Sequence, residues 1–519
     1  MQATPIESAA PSYRLAVADV AARVRATTDG VVLADSGGAK VMHETGLPSY
    51  CYFPPADVAE QYLEPSNRRT FCPFKGTASY WHLALPERTI ENAVWSYQRP
   101  LDEATETAGY LAFFDDVVAL QAIDGELPRT PTDEPISGPL VDWLLLKAWQ
   151  CPSAAELTGE LGRQMLAAGI PVWRLGVGIW TLHPQLAGRS YTWRHDTDSV
   201  EEGGTPHGML LEPVYLNSPV RHVSEGLGGV RQRLDQDEAE FSFPIMQTLR
   251  EQGGTDYVAM PLPFSDGQIN TLTLTSDRPE GFSTNDLGSV YQCFAIISRY
   301  YETLTLRHNT SVLLETYLGR RSGQRVLKGQ TQRGDGEEIR AAILYCDLRE
   351  STQLAASLSR GDYLDLLNDF FECATRPVLS RGGEVLKFIG DAVLAAYPVE
   401  QDDGLACGLA RDAALEIVGD LAKLGNGDGD GDGALQCAIG VHLGEVTFGN
   451  VGGRERLDFT VIGSAANLAT RLSEQCKILS RPLLFSAEVE KQVPDGMIPL
   501  GRQDLRHIDG GQEVFTLET

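Results

Sequence analysis

The stretch from Gly382 to Tyr397, GGEVLKFIGDAVLAAY, places two charged residues around a tight turn between apolar runs. Lys387 lies before an Ile-Gly turn and Asp391 directly follows it. Apolar runs joined by a short glycine-containing segment predict a β-hairpin. A buried strand excludes both charges, whereas a site that binds an anion together with a metal uses both. The pattern therefore predicts a sheet with a functional site at one edge.

Further elements from about residue 339 onward predict an α/β or α+β domain built around one sheet. A strand in AAILYCDL ends at Asp347, and Asp391 lies in the hairpin turn. Two carboxylates from neighbouring strands can hold divalent metals at one sheet edge. A single aspartate at a strand end is more often a surface or capping residue, so neither position alone indicates a metal site.

A helix predicted in ANLATRL places Asn467 and Arg471 four residues apart, and hence on one face. An amide and a guanidinium on one face suit a phosphate or a ribose, but they are also a common surface pair. Lys387 has an alternative interpretation as well, because a lysine at a sheet edge can extend its charge into water.

Taken together, these residues lie in sequence blocks that resemble the catalytic domain of class III nucleotidyl cyclases. The resemblance covers about residues 340 to 517 and implies a ferredoxin-like α/β fold. The blocks occur in the family's order: YCDLRESTQLAASL, GGEVLKFIGDAVLAAY, GVHLGEVTFGNVG, RLDFTVIGSAANLATRL and LGRQDLRHIDGGQEVF.

The resemblance implies roles for the metal-binding and base-reading residues. Asp347 and Asp391 match the two aspartates that bind two Mg²⁺ or Mn²⁺ ions in each active site. Lys387 and Thr460 match the pair that reads the purine, the lysine as donor and the threonine as acceptor. A guanine-reading site normally has glutamate in place of the lysine, so the resemblance favours ATP.

The resemblance also implies that Asn467 orients the ribose and that Arg471 stabilises charge on the α-phosphate. Thr352 and Arg506 match substrate-binding positions less closely. Thr352 follows Arg-Glu-Ser where the family has Arg-Gly-Phe, and Arg506 stands near a position that is often lysine. Arginine can still bind a phosphate.

Cyclases of this family assemble each site from two subunits, so the resemblance implies a homodimer with two equivalent sites. We predict an adenylate cyclase that converts ATP to 3′,5′-cyclic AMP and pyrophosphate. The alternatives are a guanylate cyclase and an inactive cyclase-homology domain that binds nucleotide as a regulatory module.

The N-terminal part is predicted to be a mostly-β domain at 20–123, after a tail at 1–19 and before a proline-rich acidic linker at 124–139. Its blocks HETGLPSYCYFP, LEPSNRRTFCPFKGTASYW and ENAVWSYQRP resemble the domain of unknown function 427, of β-tent type. Its aromatic residues form either a small-ligand pocket with Lys75 or an apolar core; they are Tyr80, Trp81, Trp95 and Tyr97.

The middle part, 140–300, resembles GAF-type α+β sensor domains, and residues 301–338 are predicted to be a signalling helix and linker to the cyclase domain at 339–519. Apolar residues at alternating spacings of three and four indicate either a packed amphipathic helix or a parallel dimeric coiled coil. They are Leu287, Val290, Phe294, Ile297, Tyr301 and Leu304.

Net charge and cysteine pattern limit the partners and location. A formal charge of −28 argues against nucleic-acid and anionic-membrane binding. The sequence lacks a secretory signal and any apolar run of about 18 residues. Its nine cysteines are irregularly spaced without a CxxC pair, which indicates reduced thiols. We therefore expect a cytoplasmic protein without a membrane span.

Overall fold

The computed structural model describes residues 14–45, 47–127, 138–235, 241–424, 435–508 and 510–518. The chain divides into two compact units, Met1–Asn309 and Thr310–Thr519. Residues 1–13 of the predicted tail and 128–137 of the predicted linker lie outside the described residues. Within the described ranges, no helix combines the length and apolar character needed to cross a membrane.

The N-terminal part of the first unit is mostly β, as predicted. Seven strands form one antiparallel sheet in the order β1-β4-β5-β9-β8-β7-β6, and β10-β2-β3 form another. The strands are β1 (Leu15–Asp19), β2 (Arg23–Thr28), β3 (Val31–Ser36), β4 (Lys40–Glu44), β5 (Tyr50–Phe53), β6 (Leu63–Cys72), β7 (Gly76–Ala84), β8 (Thr89–Ser96), β9 (Leu111–Phe113) and β10 (Ala119–Asp124).

The aromatic residues of these strands belong to apolar clusters, which supports the core alternative, and the four rings do not share one cluster. Tyr80, Trp95 and Tyr97 are buried in one apolar cluster, whereas Trp81 packs against a different cluster. Tyr80 and Trp81 are neighbours in β7, and successive side chains of a strand point to opposite faces. Lys75 is itself buried and forms an ion pair with Glu44.

The middle part of the first unit is a six-stranded antiparallel sheet with helices, in the order β13-β12-β11-β16-β15-β14. This arrangement is α+β, while the GAF assignment stays a prediction. The elements are α1 (Pro139–Leu146), α2 (Ala154–Ala167), β11 (Arg174–Trp180), β12 (Leu186–Arg194), β13 (Ser199–Pro206), α3 (Pro213–Leu216), α4 (Pro219–Ser224), β14 (Val230–Arg233), α5 (Ile245–Glu251), β15 (Asp256–Pro263), β16 (Ile269–Ser276) and α6 (Thr284–Leu318). The last residues of α6, from Thr310 onward, belong to the second unit.

The apolar seam of α6 packs inside the first unit, so the coiled-coil alternative is wrong and the amphipathic-helix alternative is right. Four of the six seam residues are fully buried, and Phe294 and Leu304 pack against the same cluster. A face covered by its own chain cannot pair with a second copy of the helix. Ser283 and Asp286 begin this helix with reciprocal side-chain to backbone hydrogen bonds.

The second unit contains a mixed sheet in the order β18-β19-β17-β20-β22-β24-β23, with β21 also paired to β20. Its elements are α7 (Arg320–Leu327), β17 (Gly336–Leu348), α8 (Ser351–Ser357), α9 (Arg360–Ser380), β18 (Glu384–Ile389), β19 (Ala392–Pro398), α10 (Asp403–Leu424), β20 (Cys437–Gly452), β21 (Leu457–Ile462), α11 (Ser464–Leu479), β22 (Leu483–Ser486), α12 (Ala487–Glu490), β23 (Ile498–Gln503) and β24 (Gln512–Thr516).

The run β17-α9-β18-β19-α10-β20 is the ferredoxin-like βαββαβ order, with β17 and β19 central. Helices α9 and α10 bury apolar residues against one face of the sheet, and α11 covers the other. All nine cysteines are free thiols and eight of them are buried, so they pack as small core residues.

Candidate active site

The β18–β19 hairpin brings the two predicted metal-binding aspartates together. Its loop is Gly390-Asp391, and Gly390 adopts a φ of +62°, which glycine tolerates best. The backbone N–H of Leu348 donates to the carbonyl oxygen of Asp391 at 3.2 Å. Asp347 lies opposite Ala392, the residue after Asp391. The two aspartates are therefore neighbours at one sheet edge.

The environment of Asp347 is partly buried and strongly charged. Burial raises the pKa of the Asp347 carboxyl above its ordinary value, and the charges of Asp391 and Glu474 raise it further. The ammonium of Lys477 opposes this rise from 2.5 Å. The repulsion between Asp347 and Asp391 means that a bound cation would be stabilised between them.

The donor set fits a magnesium-type ion. In the described part of the chain, no group of three or more His, Cys, Asp or Glu side chains could enclose a metal. Mg²⁺ is usually held by one or two carboxylates, with substrate phosphates and water completing its shell. Asp347 and Asp391 supply that number of carboxylates at an accessible edge.

Lys387 lies on β18 and forms an ion pair with Asp458 of β21. Thr460 is two residues further along β21, so it shares a strand face with Asp458. Lys387 and Asp458 line an open cavity of ≈ 720 Å³ together with residues 451–457. Sequence reasoning missed Asp458, although the period of two along a strand places it on the face of Thr460.

Asn467 and Arg471 lie on α11, which is held tightly against the sheet. A Cβ at Gly440 of β20 would lie 2.1 Å from the carbonyl oxygen of Ala469, so only glycine permits this approach. Asn467 is exposed, and Arg471 donates to both oxygens of Glu474 at 2.6 and 2.7 Å. Within the chain, Arg471 thus has an internal carboxylate partner that the sequence did not reveal.

The two remaining predicted residues are exposed. Thr352 lies in the first turn of α8, which follows Glu350 in the left-handed conformation at φ +61°. Glu350 occupies the position of the glycine in the motif that it resembles, which explains why glycine is usual there. Arg506 lies in the connection between β23 and β24, at the opposite end of the sheet from β18.

Comparison with known proteins assigns two segments of the chain. Residues 16–124 match the model for the domain of unknown function DUF427. Residues 337–481 match the model for the adenylate and guanylate cyclase catalytic domain. The second segment contains Asp347, Lys387, Asp391, Thr460 and Arg471.

Individual relatives share the C-terminal part. An uncharacterized protein of Mycobacterium tuberculosis is 33% identical over 214 residues, 40% of this chain and 36% of that protein. An adenylate cyclase of Anabaena cylindrica is 31% identical over 165 residues, 31% of this chain and 32% of that enzyme. These matches span about a third of the relatives' own length.

Among solved structures, a bacterial light-regulated adenylyl cyclase is 29% identical, with 35% of this chain and 91% of that chain covered, at a TM-score of 0.32. From the family models, residues 16–124 form a DUF427 domain, and residues 337–481 form a class III adenylate and guanylate cyclase catalytic domain.

Proposed function

We propose that this chain is an adenylate cyclase that converts ATP to 3′,5′-cyclic AMP and pyrophosphate. The observation that carries the proposal is the placement of Asp347 beside Asp391, with Lys387 four residues before Asp391 on the same hairpin. The adenylate cyclase of Anabaena cylindrica among the relatives supports this choice of substrate.

Asp347 and Asp391 would hold Mg²⁺ or Mn²⁺, two per site. Bound there, the ions would favour ionisation of the attacking hydroxyl and neutralise charge on the triphosphate. Both carboxylates remain partly accessible, so a nucleotide can approach them.

The reaction needs no protein nucleophile. The 3′-hydroxyl of ATP gives up its proton to water and forms a new bond to the α-phosphorus, and the bond from that phosphorus to the β-phosphate oxygen breaks, which releases pyrophosphate. Asn467 would orient the ribose, and Arg471 would donate to the oxygens of the α-phosphate as charge develops. Positioning and electrostatic stabilisation supply most of the catalysis in such reactions.

Lys387 would donate to a ring nitrogen of adenine, with Thr460 accepting from the exocyclic amine. A site that hydrogen-bonds the polar edge of its substrate rejects a competitor by leaving buried groups unpaired. The Asp458 carboxylate beside Lys387 keeps a guanylate cyclase as the second candidate, because it could accept from the N–H groups of guanine.

A homodimer would complete each site. Within one chain, Arg471 pairs with Glu474, and Asp347 pairs with Lys477. In the proposed dimer, the Asp347 of one chain and the Arg471 of the other would contribute to the same site. Large apolar side chains are exposed close to Lys387 and Thr460 in sequence, as expected of a surface that another subunit covers. They are Phe388, Ile389 and Ile462.

Control of this activity is assigned to the first unit, whose DUF427 domain and α+β domain would sense a signal. An inactive cyclase-homology module is disfavoured, because Asp347, Asp391, Asn467 and Arg471 are all retained.

The test is the formation of 3′,5′-cyclic AMP from ATP by the full chain with Mn²⁺ or Mg²⁺. We expect cyclic AMP from the wild type and none from Asp391→Asn, with Asp403→Asn as the control because Asp403 forms a surface ion pair with Arg340. Faster turnover of GTP by the wild type would favour the guanylate cyclase. If the wild type forms neither cyclic AMP nor cyclic GMP, the proposal is contradicted.

A further inference from the structure

Lys477 is a cation held against the carboxylate of Asp347. Its Nζ donates to Oδ2 of Asp347 at 2.5 Å, between residues 130 positions apart in the chain. The side chain of Asp347 is 19% exposed and that of Lys477 is 48% exposed. The lysine end of this contact is therefore accessible from solvent.

The position of Lys477 is fixed by the packing of α11 on the residues opposite Asp347. Ser473 Oγ donates to the carbonyl oxygen of Ala438 at 2.8 Å, and Cys476 Sγ donates to that of Ile439 at 3.3 Å. Ala438 is the register partner of Asp347 in the β17–β20 ladder. The helix turn that carries Lys477 is thus attached to the backbone directly across from Asp347.

The surroundings of Asp347 make this contact more than a chance surface pair. Asp391 precedes Ala392, the register partner of Asp347, and Glu474 lies three residues before Lys477 on α11. The charges of both carboxylates raise the pKa of the Asp347 carboxyl, whereas the ammonium of Lys477 lowers it. A divalent cation at Asp347 would be attracted by the same carboxylates and repelled by the ammonium at short range. The ammonium of Lys477 and a metal ion would therefore compete for the same Asp347 carboxylate.

We propose that Lys477 is a positioning residue that competes with the divalent cation for Asp347. Lys477 neutralises and orients the Asp347 carboxylate, and it sets the metal concentration at which the site fills. This inference rests on the proposed function in one respect, the assignment of Asp347 as a metal ligand.

The experiment is a titration of the full chain with Mn²⁺ alone, with free Mn²⁺ measured by electron paramagnetic resonance. The relevant binding is the component that Asp347→Asn removes, which separates it from weak binding to other acidic residues. Lys477→Met is expected to lower the dissociation constant of this component about tenfold, because it removes a positive charge next to the ion. Lys477→Arg keeps the charge and is expected to change the constant less than about twofold.

The proposal is overturned if Lys477→Met binds Mn²⁺ with a dissociation constant equal to or higher than that of the wild type. It is also overturned if Mn²⁺ binding by Lys477→Met is too weak to detect. A lower melting temperature without tighter Mn²⁺ binding also overturns it, since the contact would then be structural only. Cyclic AMP formation by the same wild-type preparation separates the two claims. Wild-type activity with unchanged Mn²⁺ binding in Lys477→Met defeats only this inference, whereas tighter binding without any cyclic nucleotide defeats only the proposed function.

Discussion

Two lysine–carboxylate pairs of this chain have the same chemistry and different surroundings. In the first unit, Lys75 pairs with Glu44, and their side chains are 11% and 3% exposed. In the second unit, Lys387 pairs with Asp458, and their side chains are 41% and 45% exposed. The first pair lies among aromatic core residues, whereas the second lines an open cavity.

The difference in exposure separates a structural pair from one that can change partners. Removing one partner of a buried ion pair strongly destabilises a protein, because the remaining charge is shielded from water. An exposed pair contributes little to stability, and a substrate can replace either partner at small cost. Lys387–Asp458 and Arg471–Glu474 belong to the more exposed kind, and Lys477–Asp347 joins an exposed lysine to a partly buried aspartate.

The largest expected effect is on stability in the first unit. Lys75→Met should lower its free energy of unfolding by about 3–5 kcal/mol, because the buried carboxylate of Glu44 would lose the neutralising charge of Lys75. All seven tryptophans lie in this unit, so urea unfolding followed by tryptophan fluorescence reports on it directly. The double variant Lys75→Met/Glu44→Leu is the matched control and should recover most of the loss.

The comparison fails if Lys75→Met lowers the free energy of unfolding by no more than Lys387→Met does. We expect the latter to change the stability of the second unit by at most about 1 kcal/mol, since the Lys387 charge is exposed. Circular dichroism during the same urea titration measures this second value.

The next effect is on turnover, at an exposed pair. Arg471→Ala should lower kcat for ATP about 100- to 1000-fold, the usual loss for a group that stabilises transition-state charge. The melting temperature should change little, because the Arg471–Glu474 pair is on the surface. Arg340→Ala, which breaks another exposed arginine–carboxylate pair, is the control and should keep kcat. Equal losses in the two variants would contradict the assignment of Arg471.

A smaller effect is expected on substrate choice. Lys387→Met should lower kcat/KM for ATP about tenfold, mainly through KM, because the proposed contact of Lys387 is with the base, away from the reacting phosphorus. The preference for ATP over GTP should narrow in steady-state assays with both nucleotides. If the ratio of kcat/KM for ATP to kcat/KM for GTP is the same in Lys387→Met and in the wild type, Lys387 does not read the base.

The local features of the catalytic domain could be predicted from sequence. The hairpin around Gly390 was visible because its signal is a turn between two apolar runs, and the antiparallel pairing of β17 with β19 then places Asp347 beside Asp391. The partners of these residues could not be predicted. Lys477 is 130 positions from Asp347, and only the packing of α11 on β20 brings it there.

Two pairs of alternatives stay open in the sequence for a common physical reason. Spacings of three and four along α6 identify an apolar face but not what covers it, so a coiled coil and a packed helix give the same pattern. The residue types of Tyr80 and Trp81 likewise fit either a ligand pocket or an apolar core. Their strand directs them to opposite faces, and the register decides which core each one joins.

The central claim is that exposed, internally paired residues of two chains combine into one active site. The direct measurement is cyclic AMP formation by a co-expressed mixture of Asp391→Asn and Arg471→Ala, each of which is expected to be inactive or nearly so alone. In a mixed dimer one site carries both defects and the other carries neither, so the account predicts about a quarter of wild-type activity at random pairing. Activity of the mixture no higher than the sum of the separate variants, in preparations shown to contain mixed dimers, would contradict it.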